Sequence, residues 1–156
     1  MTSMKERVHL SRHRVLYGDT DAAAVVYNAN YLRYFELGRT EFMRAWVYSY
    51  RDIEQMGFVL PVTECHIRFK APARYDDLLT IETSLTELKK VSCTFSYKIL
   101  REEEGTRARL LARGFTTHAS VNREGKLTPL PAEIVRKLQP FLPHPSFPHQ
   151  GEETGE

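Results

Sequence analysis

Two aspartates, Asp19 and Asp21, share the segment Tyr17-Gly-Asp-Thr-Asp21; a small apolar run to Val26 follows, then Tyr27-Asn28-Ala29-Asn30-Tyr31 opens a strongly apolar stretch. A carboxylate is thereby placed just upstream of a predicted helix start. The first amides of a helix have no intrahelical acceptor, and the summed peptide dipoles leave roughly half a positive charge there, so such an end can hold an oxyanion. A carboxylate nearby can attack an acyl carbon or deprotonate water, and the two features together suit acyl transfer. Asp is also a common turn and capping residue. Asp19 fits that second role, and the spacing alone leaves Asp21 open between the two.

The elements that must position these groups follow from periodicity. Val8 and Leu10 alternate with His9 and Ser11, which predicts a first strand from about Val8 to Leu16 that ends at Tyr17-Gly18. From Asn30 to about Tyr50 the apolar residues cover more than a narrow stripe, so a long helix is expected with something wrapped around it, capped by Asn30 or Asn28. A short second helix is expected from Arg51 to Phe58, stopped at Gly57. Four alternating strands then run over Val59–Lys70, Leu78–Glu87, Val91–Arg101 and Arg107–Asn122, joined largely by short polar turns, before a short helix over Pro131–Leu138. The order describes an α+β domain over residues 1–142, in which a curled antiparallel sheet wraps one long helix. Residues 143–156, rich in Pro, His, Gly and Glu, are expected to form a disordered tail.

Composition narrows the function classes. In 156 residues, 22 Lys and Arg stand against 20 Asp and Glu, a net charge of +2, a balance that does not argue for a nucleic-acid binder. No integral membrane segment and no apolar leader are visible, so a cytoplasmic location is expected. Cys65 and Cys93 lie in alternating segments and read as reduced core thiols. The six histidines show no metal-ligand spacing, so no metal is expected. Glu36 and Glu41 are expected to pair with Arg39 and Arg44, and Glu64, opposite Cys65 in the alternation, is an outside candidate for a second carboxylate.

Several segments in order carry a family likeness: Tyr17-Gly-Asp-Thr-Asp21, Val25-Val26-Tyr27, Asn30-Tyr31-Leu32 with the helix up to Arg39-Thr40-Glu41, Ala73-Arg74-Tyr75-Asp76-Asp77, and Gly125-Lys126 before Pro129-Leu130-Pro131. Over nearly all of residues 8–140 the chain resembles the hotdog-fold thioesterases of the 4-hydroxybenzoyl-CoA thioesterase-like family, in particular the Tol–Pal-associated acyl-CoA thioesterase branch. The resemblance implies hydrolysis of an acyl-CoA to free acid and CoA without metal or redox cofactor, in a homodimer or homotetramer. It implies Asp21 as nucleophile or general base, with backbone amides near Tyr27 and Asn28 polarising the thioester carbonyl.

Two positions depart from that branch: Ala24 stands where Gly is usual, and Asn28 where His is usual. A methyl at Ala24 hinders close backbone approach if the position needs positive φ. Asn28 can hydrogen-bond but cannot take up a proton at neutral pH. These departures keep a non-catalytic acyl-thioester binding protein as an alternative, beside a thioesterase acting on acyl carrier protein or on aromatic acyl-CoA.

A CoA substrate needs cations for its phosphates, and Arg74, Lys89, Lys90 and Lys126 are the candidates, the turn at Lys89-Lys90 foremost because family members carry basic residues there. Tyr31, Phe35, Val62 and Phe69 are candidates to line the acyl pocket, against the plainer reading of core packing.

Overall fold

The computed structural model describes residues 7–143. Strand β1 (Val8–Arg14) leads through residues 15–28 to helix α1 (Asn30–Trp46) and helix α2 (Tyr50–Gln55). Then come β2 (Phe58–Val59), β3 (Val62–Phe69), β4 (Leu78–Leu88), β5 (Ser92–Arg101), β6 (Arg109–Ala119), β7 (Val121–Asn122) and α3 (Ala132–Leu138). The main sheet is antiparallel in the order β1-β4-β5-β6-β3, and β2 pairs with β7 in a small second sheet. The α+β arrangement of one sheet curled around one long helix stands as expected. The tail expected from residue 143 lies, apart from Pro143, outside the described residues.

Several boundaries move for local reasons. α1 stops at Trp46 rather than running to Tyr50, and Ser49 starts α2 by accepting the Asp52 amide on its hydroxyl at 3.2 Å. Gly57, at φ 97°, reverses the chain after α2. The first long strand is two, interrupted by Leu60 and Pro61, and the last breaks at Ser120. Pro131 caps α3 from outside instead of lying within it.

α1 is seated on the sheet by two glycines. A Cβ on Gly38 would meet the Thr83 hydroxyl and come within 2.7 Å of the Ile81 side chain, and one on Gly114 would run into the His66 carbonyl and come within 3.0 Å of the Phe35 ring. Both elements therefore approach more closely than any side chain permits. In that contact Phe35 stacks on Tyr97 at 4.3 Å, and Phe42 packs edge-on against Phe95 at 5.4 Å.

The sheet centre also holds a polar chain. Arg39 turns inward and donates to the Tyr97 hydroxyl at 3.2 Å rather than pairing with Glu36; Glu41 and Arg44 do pair, at 3.5 Å. Tyr97 and Thr116 lie 2.6 Å apart, Thr116 and His118 2.8 Å, and His118 Nδ1 sits 3.0 Å from the Leu60 carbonyl. A carbonyl only accepts, so Nδ1 carries the proton and the neutral ring accepts from Thr116 on Nε2. Burial, with the nearby Arg39 charge, pushes the His118 pKa down to about 4.

Two side-chain placements depend on how the elements meet. The face of β1 that meets α1 is the polar one: His9 packs on Trp46 at 5.0 Å and His13 on Tyr34 at 4.9 Å, while Leu10 is 60% exposed on the outer face. Cys93 is buried, its thiol pushed up to about 12 by desolvation, but Cys65 is exposed and is not a core thiol. Its strand, β3, is the sheet edge furthest from β1, and α1 covers its inner face only in part, through Tyr31, so Phe69 is 53% exposed there as well. Glu64 is exposed on β3.

Candidate functional site at the start of the central helix

The chain leaving β1 folds in two steps. Tyr17–Asp19 form one 3-10 turn, and Thr20 then bridges Val26, so residues 21–25 become the tip of a tight hairpin. The tip is closed by the Asp21 amide on the Val25 carbonyl at 2.9 Å and the Ala24 amide on the Asp21 carbonyl at 3.0 Å. Ala24 adopts φ 62°, the left-handed region, where a Cβ costs about 1–2 kcal/mol. The position usually held by glycine in the resembling branch thus does require positive φ, and this chain carries a methyl there.

The two aspartates occupy opposite environments. Asp21 is exposed, and its Oδ1 accepts the Ala23 amide at 2.8 Å in a local Asx turn. Asp19 is buried: its Oδ2 accepts from the Tyr34 hydroxyl at 2.9 Å, His13 Nε2 at 2.9 Å and the Leu16 amide at 3.1 Å. Burial alone would raise the Asp19 pKa, but the hydrogen bonds from His13, Leu16 and Tyr34 outweigh it and hold the carboxyl below its ordinary value. Burial and that carboxylate push the Tyr34 hydroxyl far above its usual range. The turn role expected for Asp19 is met by Leu16; His13 and Tyr34 are partners that spacing did not reveal.

Asp19 also organises the helix start through its carbonyl, which accepts the Tyr27 amide at 2.9 Å and Asn30 Nδ2 at 2.8 Å. Asn30 is therefore not the N-cap, nor is Asn28. Ala29 occupies that position with no side-chain cap, and the Asn30 amide group is turned back to the loop. The consequence for the backbone is specific. The Tyr27 amide is already engaged, whereas those of Asn28 and Ala29 donate to no acceptor among the described residues. The open donors at the head of the 17-residue α1 are thus Asn28 and Ala29, one position further on than the pair Tyr27 and Asn28.

Beside them lies a shallow cavity of about 310 Å³ lined by Val26, Asn28, Tyr31, Phe69, Lys70, Ala71 and Pro72. Tyr31 and Phe69 meet edge-on at 5.2 Å, and the Tyr31 hydroxyl accepts the Ala73 amide at 3.1 Å, which holds the 71–77 loop against the helix. Of the four residues expected to line an acyl pocket, these two are brought together. Phe35 is wholly buried under Tyr97, and Val62 stands at the other end of β3, roughly 23 Å away at 3.3 Å per residue.

The cations divide in the same way. Arg74 belongs to the 71–77 loop, next to the hairpin tip through the Val26 amide on the Ala73 carbonyl. Lys89, paired with Glu87 at 3.1 Å, and Lys90 cap the far end of β4, where the Leu130 amide on the Lys90 carbonyl brings the chain after Lys126 alongside. Eleven residues of β4 put that end roughly 35 Å from the hairpin tip of the same chain. No cluster of three or more metal-ligating side chains exists among the described residues, and no helix there is long and apolar enough to cross a membrane.

In sequence and in fold the chain is similar to proteins of known activity. The acyl-CoA thioester hydrolase YbgC of Escherichia coli O6:H1 is 39% identical over 92 residues, 58% of this chain and 67% of that protein. A 1,4-dihydroxy-2-naphthoyl-CoA thioesterase from Synechocystis superposes with a TM-score of 0.77 at 28% identity, covering 85% of this chain and 96% of the other. A 4-hydroxybenzoyl CoA thioesterase mutant complexed with 4-hydroxybenzoyl CoA gives 0.76 at 25% identity, covering 85% and 99%. The family model described as Thioesterase-like superfamily matches residues 15–138, and with this match over most of its length the chain belongs to that superfamily.

Proposed function

We propose that the protein hydrolyses an acyl-CoA thioester to the free acid and CoA. The observation that carries this reading is the pair of open amides on Asn28 and Ala29 beside the recess floored by Tyr31 and Phe69, one hairpin away from the unburied carboxylate of Asp21. The acyl group lies in the recess with its carbonyl oxygen on the helix amides, which stabilise the negative charge that develops on attack. Asp21 either takes a proton from water, whose oxygen bonds to the acyl carbon, or bonds to that carbon itself and is released by water afterwards. In both cases the carbon–sulfur bond breaks and CoA leaves as thiolate. Neither step draws on Asn28 as an acid or base, since its side-chain amide neither releases nor takes up a proton at neutral pH.

The separation of the cations from Asp21 has a natural remedy in a homodimer. β3 has a free edge, and two copies pairing there antiparallel would turn one sheet end for end against the other. The partner subunit's Lys89, Lys90 and Lys126 would then lie at the same end as Asp21, and the exposed part of the inner face at Cys65 would be covered. Phosphates of CoA would be held by Arg74 from one side and by that partner lysine group from the other.

The reading is tested by thiol release from short, long and aromatic acyl-CoAs and from acyl carrier protein esters. Turnover of at least one CoA ester is expected, and Asp21→Asn at unchanged melting temperature removes most of it. A specific observation favours one competing reading: the strained Ala24 and the Asx turn that holds Asp21 suit a protein that only binds acyl thioesters. In that case acyl-CoA raises the melting temperature and none of the panel is cleaved.

A further inference from the structure

Four outward-pointing side chains stand side by side across the middle of the sheet. Glu82 on β4, Lys98 on β5, Arg113 on β6 and Arg68 on β3 are each the direct cross-strand partner of the next. The three cations are exposed, and among the described residues none of their side chains forms an ion pair or hydrogen bond. Like charges directly opposite on neighbouring strands are destabilising. Their clustering does not follow from general basicity, because the whole chain carries only +2. An anion seated among them would remove the repulsion.

The neighbouring row supplies the rest of a site. Ser84 and Ser96 are cross-strand partners with small hydroxyl side chains, and beyond them the rings of Phe115 and His66 stack at 5.6 Å with an angle of 18° between planes. The three cations, the Glu82 carboxylate at the end of their row, the two hydroxyls and the rings together line a cavity of about 520 Å³, within the usual range of ligand pockets. Charge at one side and a flat aromatic wall at the other match a ligand that joins phosphates to a planar base. We propose that this outer-face cavity binds a nucleoside polyphosphate, with its phosphates on Arg68, Arg113 and Lys98 and its base against Phe115 and His66. The cavity lies on the face of the sheet opposite α1 and in its middle, away from both the helix amides and the Lys89-Lys90 end, so the proposal does not rest on the hydrolytic reading.

Calorimetric titration of the full chain with ADP tests it. Wild type is expected to bind, the double variant R68Q/R113Q to bind at least about tenfold more weakly, and K89Q/K90Q to bind as wild type does. F115L, which keeps the cations, is expected to lose part of the affinity. R68Q/R113Q relieves repulsion between exposed groups, so it should melt no lower than wild type and cleave acyl-CoA at an unchanged rate; should it melt lower, K98Q serves for the same comparison. Absence of binding at millimolar ADP, equal affinity in the R68Q/R113Q variant, or loss in K89Q/K90Q instead would each overturn the proposal. So would a change of oligomer size in R68Q/R113Q without any response to ADP, which would make this face a contact between copies.

Discussion

The turn Tyr17–Asp19 and the hairpin tip at residues 21–25 are adjacent in sequence and opposite in construction. In the turn, one carboxylate takes three donors and its own carbonyl takes two more, so strand, loop and helix are locked at a single residue. At the tip, the carboxylate of Asp21 has one backbone donor and is otherwise open, and the backbone is held in a conformation that its alanine disfavours. The rigid turn fixes where the tip and the helix amides stand, and the tip keeps a solvent-exposed carboxylate. On the proposed hydrolytic reading, that carboxylate is the one left free to meet a substrate.

The sharpest way to break this contrast is to alter each carboxylate alone. Asp21→Asn is expected to lower thiol release by a hundredfold or more, since a positioned base or nucleophile contributes on the order of 10²–10⁴, and to leave the melting temperature unchanged. Asp19→Ala is expected to do the reverse in kind. It strands His13, the Tyr34 hydroxyl and the Leu16 amide in a buried site, at a cost of about 3 kcal/mol in stability by denaturant unfolding. If Asp19→Ala melts like wild type, the turn is not what holds the loop.

Much of this arrangement was legible in the sequence, and the parts that were not share one cause. The Asp pair, the helix that follows and the hairpins depend on neighbours in the chain, so alternation and turn residues disclose them. The inward face of β1 does not: His9 and His13 point in because α1 happens to offer Trp46 and Tyr34 there, and that is settled only when the two elements meet. Cys65 shows the same limit, since alternation gives its face but not that β3 would be the uncovered edge. The distance between Lys89 and Asp21 follows from strand length and direction, which a motif in one dimension does not display. The resemblance implies polarising amides near Tyr27 and Asn28, and of these the Tyr27 amide is claimed by the Asp19 carbonyl, a group with no sequence signature.

Acid should reveal how much the Asp19 carboxylate contributes to stability. His118 has its folded pKa depressed to about 4, below the unfolded value, so the unfolded chain binds the extra proton first and stability falls as pH drops from about 6.5 to about 4. Wild type and Asp19→Asn share that loss. Asp19 also has a depressed folded pKa, so its contribution is present above the unfolded carboxyl value and is lost as pH falls through the folded one. Melting curves are therefore expected to converge below about pH 4, with wild type losing more than Asp19→Asn. Parallel curves would mean the Asp19 carboxylate contributes no proton-linked stability.

The smallest effect tests the strain at the tip. Glycine at position 24 removes the penalty of a Cβ at φ 62°, about 1–2 kcal/mol, but also frees the unfolded chain by roughly 0.4–1 kcal/mol, so Ala24→Gly should stabilise by about 0.5–1 kcal/mol. That sign is unusual for glycine and is therefore informative: an exposed alanine in an ordinary conformation would give a loss instead. The kinetic consequence then distinguishes two uses of the strain. If the tip only presents Asp21, the substitution should leave turnover nearly unchanged while raising the melting temperature. If the alanine methyl keeps the thioester carbonyl away from the hairpin, as the acyl-thioester binding reading requires, Ala24→Gly should raise thiol release instead.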